Sequence, residues 1–87
     1  MKTFYLVRFS KKTGKIDTTM TALGCGLLNL WALQNTTKTK DTIIFDEDGI
    51  IDAYYEGTAD FPKAERGKGE KIDKYCKGLL EAVKEGA

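Results

Sequence analysis

Asp41-Thr42-Ile43-Ile44-Phe45-Asp46-Glu47-Asp48-Gly49-Ile50-Ile51-Asp52-Ala53-Tyr54-Tyr55 is the stretch that decides the fold. Two β-branched and aromatic runs flank an acidic turn ending in Asp-Gly. That dipeptide between such runs is a strong hairpin signal, because the turn that matches strand twist needs backbone at positive φ. Upstream, Thr3-Phe4-Tyr5-Leu6-Val7-Arg8-Phe9 has the same character. Ser10 to Lys15 follows with turn chemistry around Gly14, and Lys15 to Met20 reads as the returning strand. The two hairpins share a short echo: a turn glycine, an Ile two positions on, then Asp, at 14, 16 and 17 and again at 49, 51 and 52.

Between the hairpins, Thr21 to Gln34 carries leucines at 23, 27, 28, 30 and 33 with Trp31, a helical spacing with Thr21 as a candidate N-cap. Gly24 and Gly26 weaken its first turn. After the second hairpin, Gly57 to Lys68 reads as a connecting loop. From Gly69 to about Lys84 the stripe Ile72, Tyr75, Cys76, Leu79, Leu80 and Val83 predicts an amphipathic helix that stops near Gly86. The expected order is β-β-α-β-β-α. The expected fold class is α+β, an antiparallel four-stranded sheet with two helices packed on one face, formed by residues 1–87 as a single small domain.

Composition removes much of catalysis. The 87 residues include no histidine and one serine, Ser10, so the usual general base, proton shuttle and nitrogen metal ligand are missing. Two cysteines 51 positions apart do not make a zinc set, and both fall on core-facing helix surfaces where cysteine acts as a small hydrophobe. An EF-hand with Gly49 at its sixth position would place Ile44 first and Tyr55 last, where oxygen ligands are needed. Asp46, Asp48, Asp52 and Glu56 supply carboxylates on a hairpin but no cleft to raise one pKa. The expectation is a non-enzyme with no metal and no cofactor.

Fourteen Lys and Arg against 13 Asp and Glu give a net charge of +1, and only Arg8 and Arg66 are arginines, which disfavours nucleic acid as a partner. The opening residues lack a signal-peptide pattern, and the longest apolar stretch, Ala22 to Leu33, is too short to span a bilayer, so a cytoplasmic protein with reduced thiols and no membrane is expected.

The central helix is the informative oddity. Between Ala22 and Leu33 only Asn29 is clearly polar, so the helix is apolar nearly all round in a chain too small to wrap it. Leu23, Leu27, Leu30, Trp31 and Leu33 are therefore candidate partner-binding residues, with Trp31 as anchor. Tyr54 and Tyr55 are added from a strand that presents aromatics to both faces. The leading reading is a protein-binding module that occludes or bridges a protein partner of unknown identity, with self-association into a homodimer as one form. Small phage and mobile-element inhibitors of host machinery share this size and this lack of catalytic residues.

A second reading uses Arg66, Lys68, Gly69 and Lys71, with Lys38 and Lys40, to bind an anion or nucleic-acid phosphate at the start of the C-terminal helix. Glu65 and Glu70 oppose it, and no complete phosphate-loop motif is present. A third reading is small-molecule binding around Gly24-Cys25-Gly26.

Overall fold

The computed structural model describes residues 2–67 and 69–70. Its elements are β1 (Phe4–Ser10), β2 (Ile16–Ala22), α1 (Gly26–Asn35), β3 (Lys40–Asp46), β4 (Ile51–Glu56) and β5 (Lys63–Arg66). They form one sheet of order β2-β1-β3-β4-β5 in which every neighbouring pair is antiparallel. The two hairpins read from the sequence are both present, β1–β2 and β3–β4. Their turn glycines, Gly14 (φ 73°) and Gly49 (φ 80°), take the left-handed backbone, which accounts for the glycine in the echo between them.

The hairpins meet through β1 and β3, which pair from Phe4↔Asp46 to Ser10↔Lys40. Since β2 and β3 are each antiparallel to β1, they run in the same direction, and the chain joining them must pass over β1. Helix α1 makes that crossing on one face.

The central strands are buried on both faces. Toward the helix, Leu6, Ile44, Ala53 and Tyr55 pack with Leu28 and Ala32 of α1. On the opposite face Val7, Ile43, Phe45 and Ile51 form a second cluster, with Tyr5 stacked on Phe45 at a ring-centroid distance of 5.7 Å. A strand wet on one side alternates apolar and polar residues. Thr42-Ile43-Ile44-Phe45 is continuous because both of its faces are covered, and Phe45 and Ile44 have no solvent exposure.

The structure corrects the expected fold class. The sheet has five strands and not four, with a single short helix among the described residues, so the fold is mainly β. Lys63-Ala64-Glu65-Arg66, read as loop, is a strand. It carries none of the β-branched or aromatic residues that mark one, and it exists because its backbone pairs with β4 from Ala53↔Arg66 to Glu56↔Lys63. Packing on one face only is corrected too, by the burial of Val7, Ile43 and Phe45 on the face away from α1. Most of the predicted C-terminal helix, from residue 71, lies outside the described residues. At its expected start, Gly69 sits at φ 79° and the Glu70 carbonyl accepts from the Ile51 amide at 2.8 Å, so this point is not a helical turn.

Helix α1 also begins later than its leucine spacing suggests. Thr21 and Ala22 belong to β2, opposite Tyr5 and Phe4, and the N-cap position is Cys25, whose side chain makes no capping bond. Ten residues with no acidic side chain in the first turn and no basic one in the last would not hold a helix alone. Leu28 and Ala32 pin it to the sheet, and Asn29 ties it laterally to β4 by accepting from the Tyr55 hydroxyl on its Oδ1 (2.7 Å).

Candidate functional site

At 100° per residue, the side of α1 facing the sheet is centred on Leu28 and Ala32, and the opposite side is centred on Leu30. Leu27, Leu30 and Leu33 therefore point away from the core. They are 77, 51 and 46% exposed, and Leu23 just ahead of the helix is 63% exposed. The four leucines expose on the order of 400 Å² of apolar surface, as large as the principal apolar patch of a typical monomer. Leu27 lies beside Trp31 and on the far side of the helix from Asn29, which puts it on the flank toward β2.

Trp31 and Tyr55 are less exposed than these leucines. Trp31 is half-buried, with the Arg8 guanidinium 5.3 Å from its ring centroid. Tyr55 is a core residue beneath α1. Tyr54 projects from the other face, half-buried, and its hydroxyl donates to Asp41 Oδ2 at 2.8 Å. Among the residues proposed from sequence, the structure sets Leu27, Leu30 and Leu33 on the outward face of α1 and leaves Leu23 exposed just ahead of it. It places Trp31 at the margin, Tyr55 beneath the helix and Tyr54 behind the sheet.

Arg8 organises the C-terminal end of α1. Its Nη1 donates to the Asn35 carbonyl (3.0 Å), one of the last carbonyls of the helix, and its Nε donates to Asp17 Oδ1 (2.8 Å), while Lys40 Nζ lies 2.9 Å from Asp17 Oδ2. The hydrogen bond from Arg8, aided by Lys40 and Thr18, holds the Asp17 carboxyl well below the usual carboxylate range. Lys40, one of the cations named for anion binding, is thus already paired within the fold.

The acidic hairpin tip is a structural turn. Asp46, which is buried, accepts the amides of Asp48 (2.9 Å) and Ile50 (3.0 Å) on one oxygen, and Lys2 approaches the other at 3.4 Å. Asp41 likewise serves the fold, accepting from the Gly57 amide (3.0 Å) with Lys11 at 3.3 Å. A Cβ on Gly57 would collide with the backbone carbonyls of Thr37 and Lys40, so the chain reversal after β4 requires glycine. Among the described residues no group of three or more His, Cys, Asp or Glu is placed to hold a metal ion.

The proposed anion site is only partly described, since Lys68 and Lys71 fall outside the described residues. Arg66 is the last residue of β5, and Gly69 is exposed. A shallow open groove of about 230 Å³ runs past Arg66, lined also by Ile51, Tyr54, Glu56, Glu65, Gly67 and Glu70. Its three carboxylates oppose an anion. At Gly24-Cys25-Gly26, a Cβ on either glycine would meet nothing within 4 Å, so neither glycine is required there by close packing. Cys25 is a free thiol, half-exposed, and Cys76 lies outside the described residues. Burial, followed by the nearby Asp52 carboxylate, raises the Tyr55 hydroxyl pKa above its ordinary value, consistent with a structural phenol.

Sequence reasoning missed the surface next to the leucines. Strand β2 is an edge of the sheet, paired only with β1 among the described residues. With the helix that follows, it belongs to a run from Thr18 to Thr37 containing no charged side chain, in a protein where 31% of residues are charged. That gap in charge was legible in the sequence; the position of β2 at an edge was not. No described helix is long and apolar enough to cross a membrane. Comparison with family models, with curated proteins and with solved structures finds no match in any of the three, so geometry alone carries the functional reading.

Proposed function

We propose that this chain is a non-enzymatic protein-binding module that occludes or bridges a protein partner through the outward face of α1. The observation that carries the reading is the solvent-facing row Leu27, Leu30 and Leu33 on a helix whose other side is already anchored in the core, with Leu23 exposed just ahead of it. An outward helix face contributes nothing to the fold by being leucine, and polar residues would serve there as well. The absence of charge from Thr18 to Thr37 suits a partner surface that is itself apolar. A cytoplasmic setting, in which Cys25 stays reduced, fits the same reading.

Affinity capture from the native host with the wild-type chain and with Leu27→Glu/Leu30→Glu tests it. Both positions are exposed, so the double variant keeps the wild-type circular dichroism spectrum. Proteins retained by the wild type should fall at least tenfold with the variant. Identical retention by both chains would sink the proposal.

A further inference from the structure

The two edges of the sheet are built differently. Strand β5 is four residues long, three of them charged (Lys63, Glu65, Arg66), with Pro62 immediately before it. Short length, charge and a flanking proline are the usual means of preventing another strand from adding to an edge. Strand β2 is seven residues long. Its only charged residue, Asp17, lies at the irregular end where the register with β1 shifts, and is occupied by Arg8 and Lys40. Beyond that point Thr18-Thr19-Met20-Thr21-Ala22 is regular and uncharged, and no other strand among the described residues pairs with its outer side, with Thr19 and Thr21 exposed.

We infer that β2 is a strand-addition site whose occupant is β2 of a second copy of this chain, giving a closed two-fold dimer with one continuous ten-stranded sheet. The inference concerns the edge strand and goes beyond the reading of the α1 leucines. Face parity selects the register. Thr18, Met20 and Ala22 face the helix side, opposite Arg8, Leu6 and Phe4, while Thr19 and Thr21 face the other side. Antiparallel self-pairing about Met20 sets Thr18 against Ala22 and Thr19 against Thr21, and every pair then matches face to face.

No charge meets a like charge in that seam, and threonine opposite threonine is a favourable cross-strand pair. A single open edge also explains closure. Were β5 open as well, β2 of one copy could join β5 of the next and propagate without end, whereas one open edge can only pair with itself. Leu23 follows directly from β2 and Leu27 overhangs the same flank, so their exposed surface extends the seam. A seam confined to one short strand and its flanking leucines is a small interface, so a dimer in reversible, concentration-dependent equilibrium with monomer is expected.

Sedimentation equilibrium on the full chain provides the test. The wild type should move from 9.7 kDa toward twice that mass as concentration rises, and Thr19→Lys/Thr21→Lys should remain at 9.7 kDa, because each lysine would face another across the seam. Mixing this variant with Thr19→Glu/Thr21→Glu should restore the doubled mass through opposite charges, which separates a lost interface from a lost fold. Hydrogen exchange should slow in Thr18–Ala22 as the dimer forms. A wild type that stays at 9.7 kDa up to about 1 mM overturns the inference while leaving the leucine-face reading intact. A lysine variant that dimerises as well as the wild type overturns it too, and if Leu27→Glu/Leu30→Glu then abolishes that dimer, the leucine face is the contact instead.

Discussion

Leu28 and Leu27 are neighbours in sequence and chemically identical, yet one is 1% exposed and the other 77% exposed. The same division separates Thr42-Ile43-Ile44-Phe45 in β3, buried on both faces, from Leu23, Leu27, Leu30 and Leu33, an equally apolar set left in water. Apolar residues in a small chain are therefore not all core. The first set closes two hydrophobic clusters across the sheet and maintains the fold, while the second presents a surface the fold does not use.

The sharpest way to break this comparison is to cut into each set. Phe45→Ala removes the largest fully buried side chain among the described residues and should cost about 3–5 kcal/mol. A domain of this size has only about 4–13 kcal/mol in total, so urea denaturation should show a midpoint shift that approaches complete unfolding at room temperature. The paired substitutions Leu28→Ala and Leu27→Ala sharpen it further. The first should cost about 2–5 kcal/mol and the second stay within about 0.5 kcal/mol, measured by the same titration. Equal costs would mean that the outward leucines are part of the core after all.

The smallest effect concerns the polar link that secures the end of α1. Asp17 is held below its ordinary pKa mainly by the hydrogen bond from Arg8, so the folded state releases this proton more readily than the unfolded chain does. Its stabilising contribution is complete above about pH 4, the unfolded value, and is lost as the pH falls below that toward the folded value. Denaturation midpoints compared at pH 6 and pH 3 should fall for the wild type, and Asp17→Asn should flatten part of that fall. Because the pair is partly solvated, added salt should weaken the effect while leaving the difference between Leu28→Ala and Leu27→Ala unchanged.

How far these features were legible follows from what kind of physics produced them. Asp48-Gly49 and Thr13-Gly14 announced their hairpins because turn conformation is decided within a few residues. The all-round apolar helix announced an excess of leucine, and the helix does leave leucines exposed. The setting of Trp31 was not legible, because nothing local reveals that Arg8, 23 positions earlier, lies over its ring. Nor was that of Tyr55, since its neighbour Tyr54 is equally aromatic and only strand parity decides which of the two lies under the helix. Lys63–Arg66 was invisible as a strand because it lacks β-forming side chains and is held by backbone pairing to β4.

By itself the sequence determined the four strands of the two hairpins, the existence of the central helix and the lack of histidine chemistry, because turn preference, side-chain period and composition act locally. Only the tertiary structure decided the rest. It placed β1 and β3 inside the sheet and β2 and β5 at the two edges of its described strands, and turned Leu28 inward while leaving Leu27, Leu30 and Leu33 outside. Strand order and burial are properties of pairing between residues distant in the chain, and no window of neighbouring residues encodes which edge a strand will occupy.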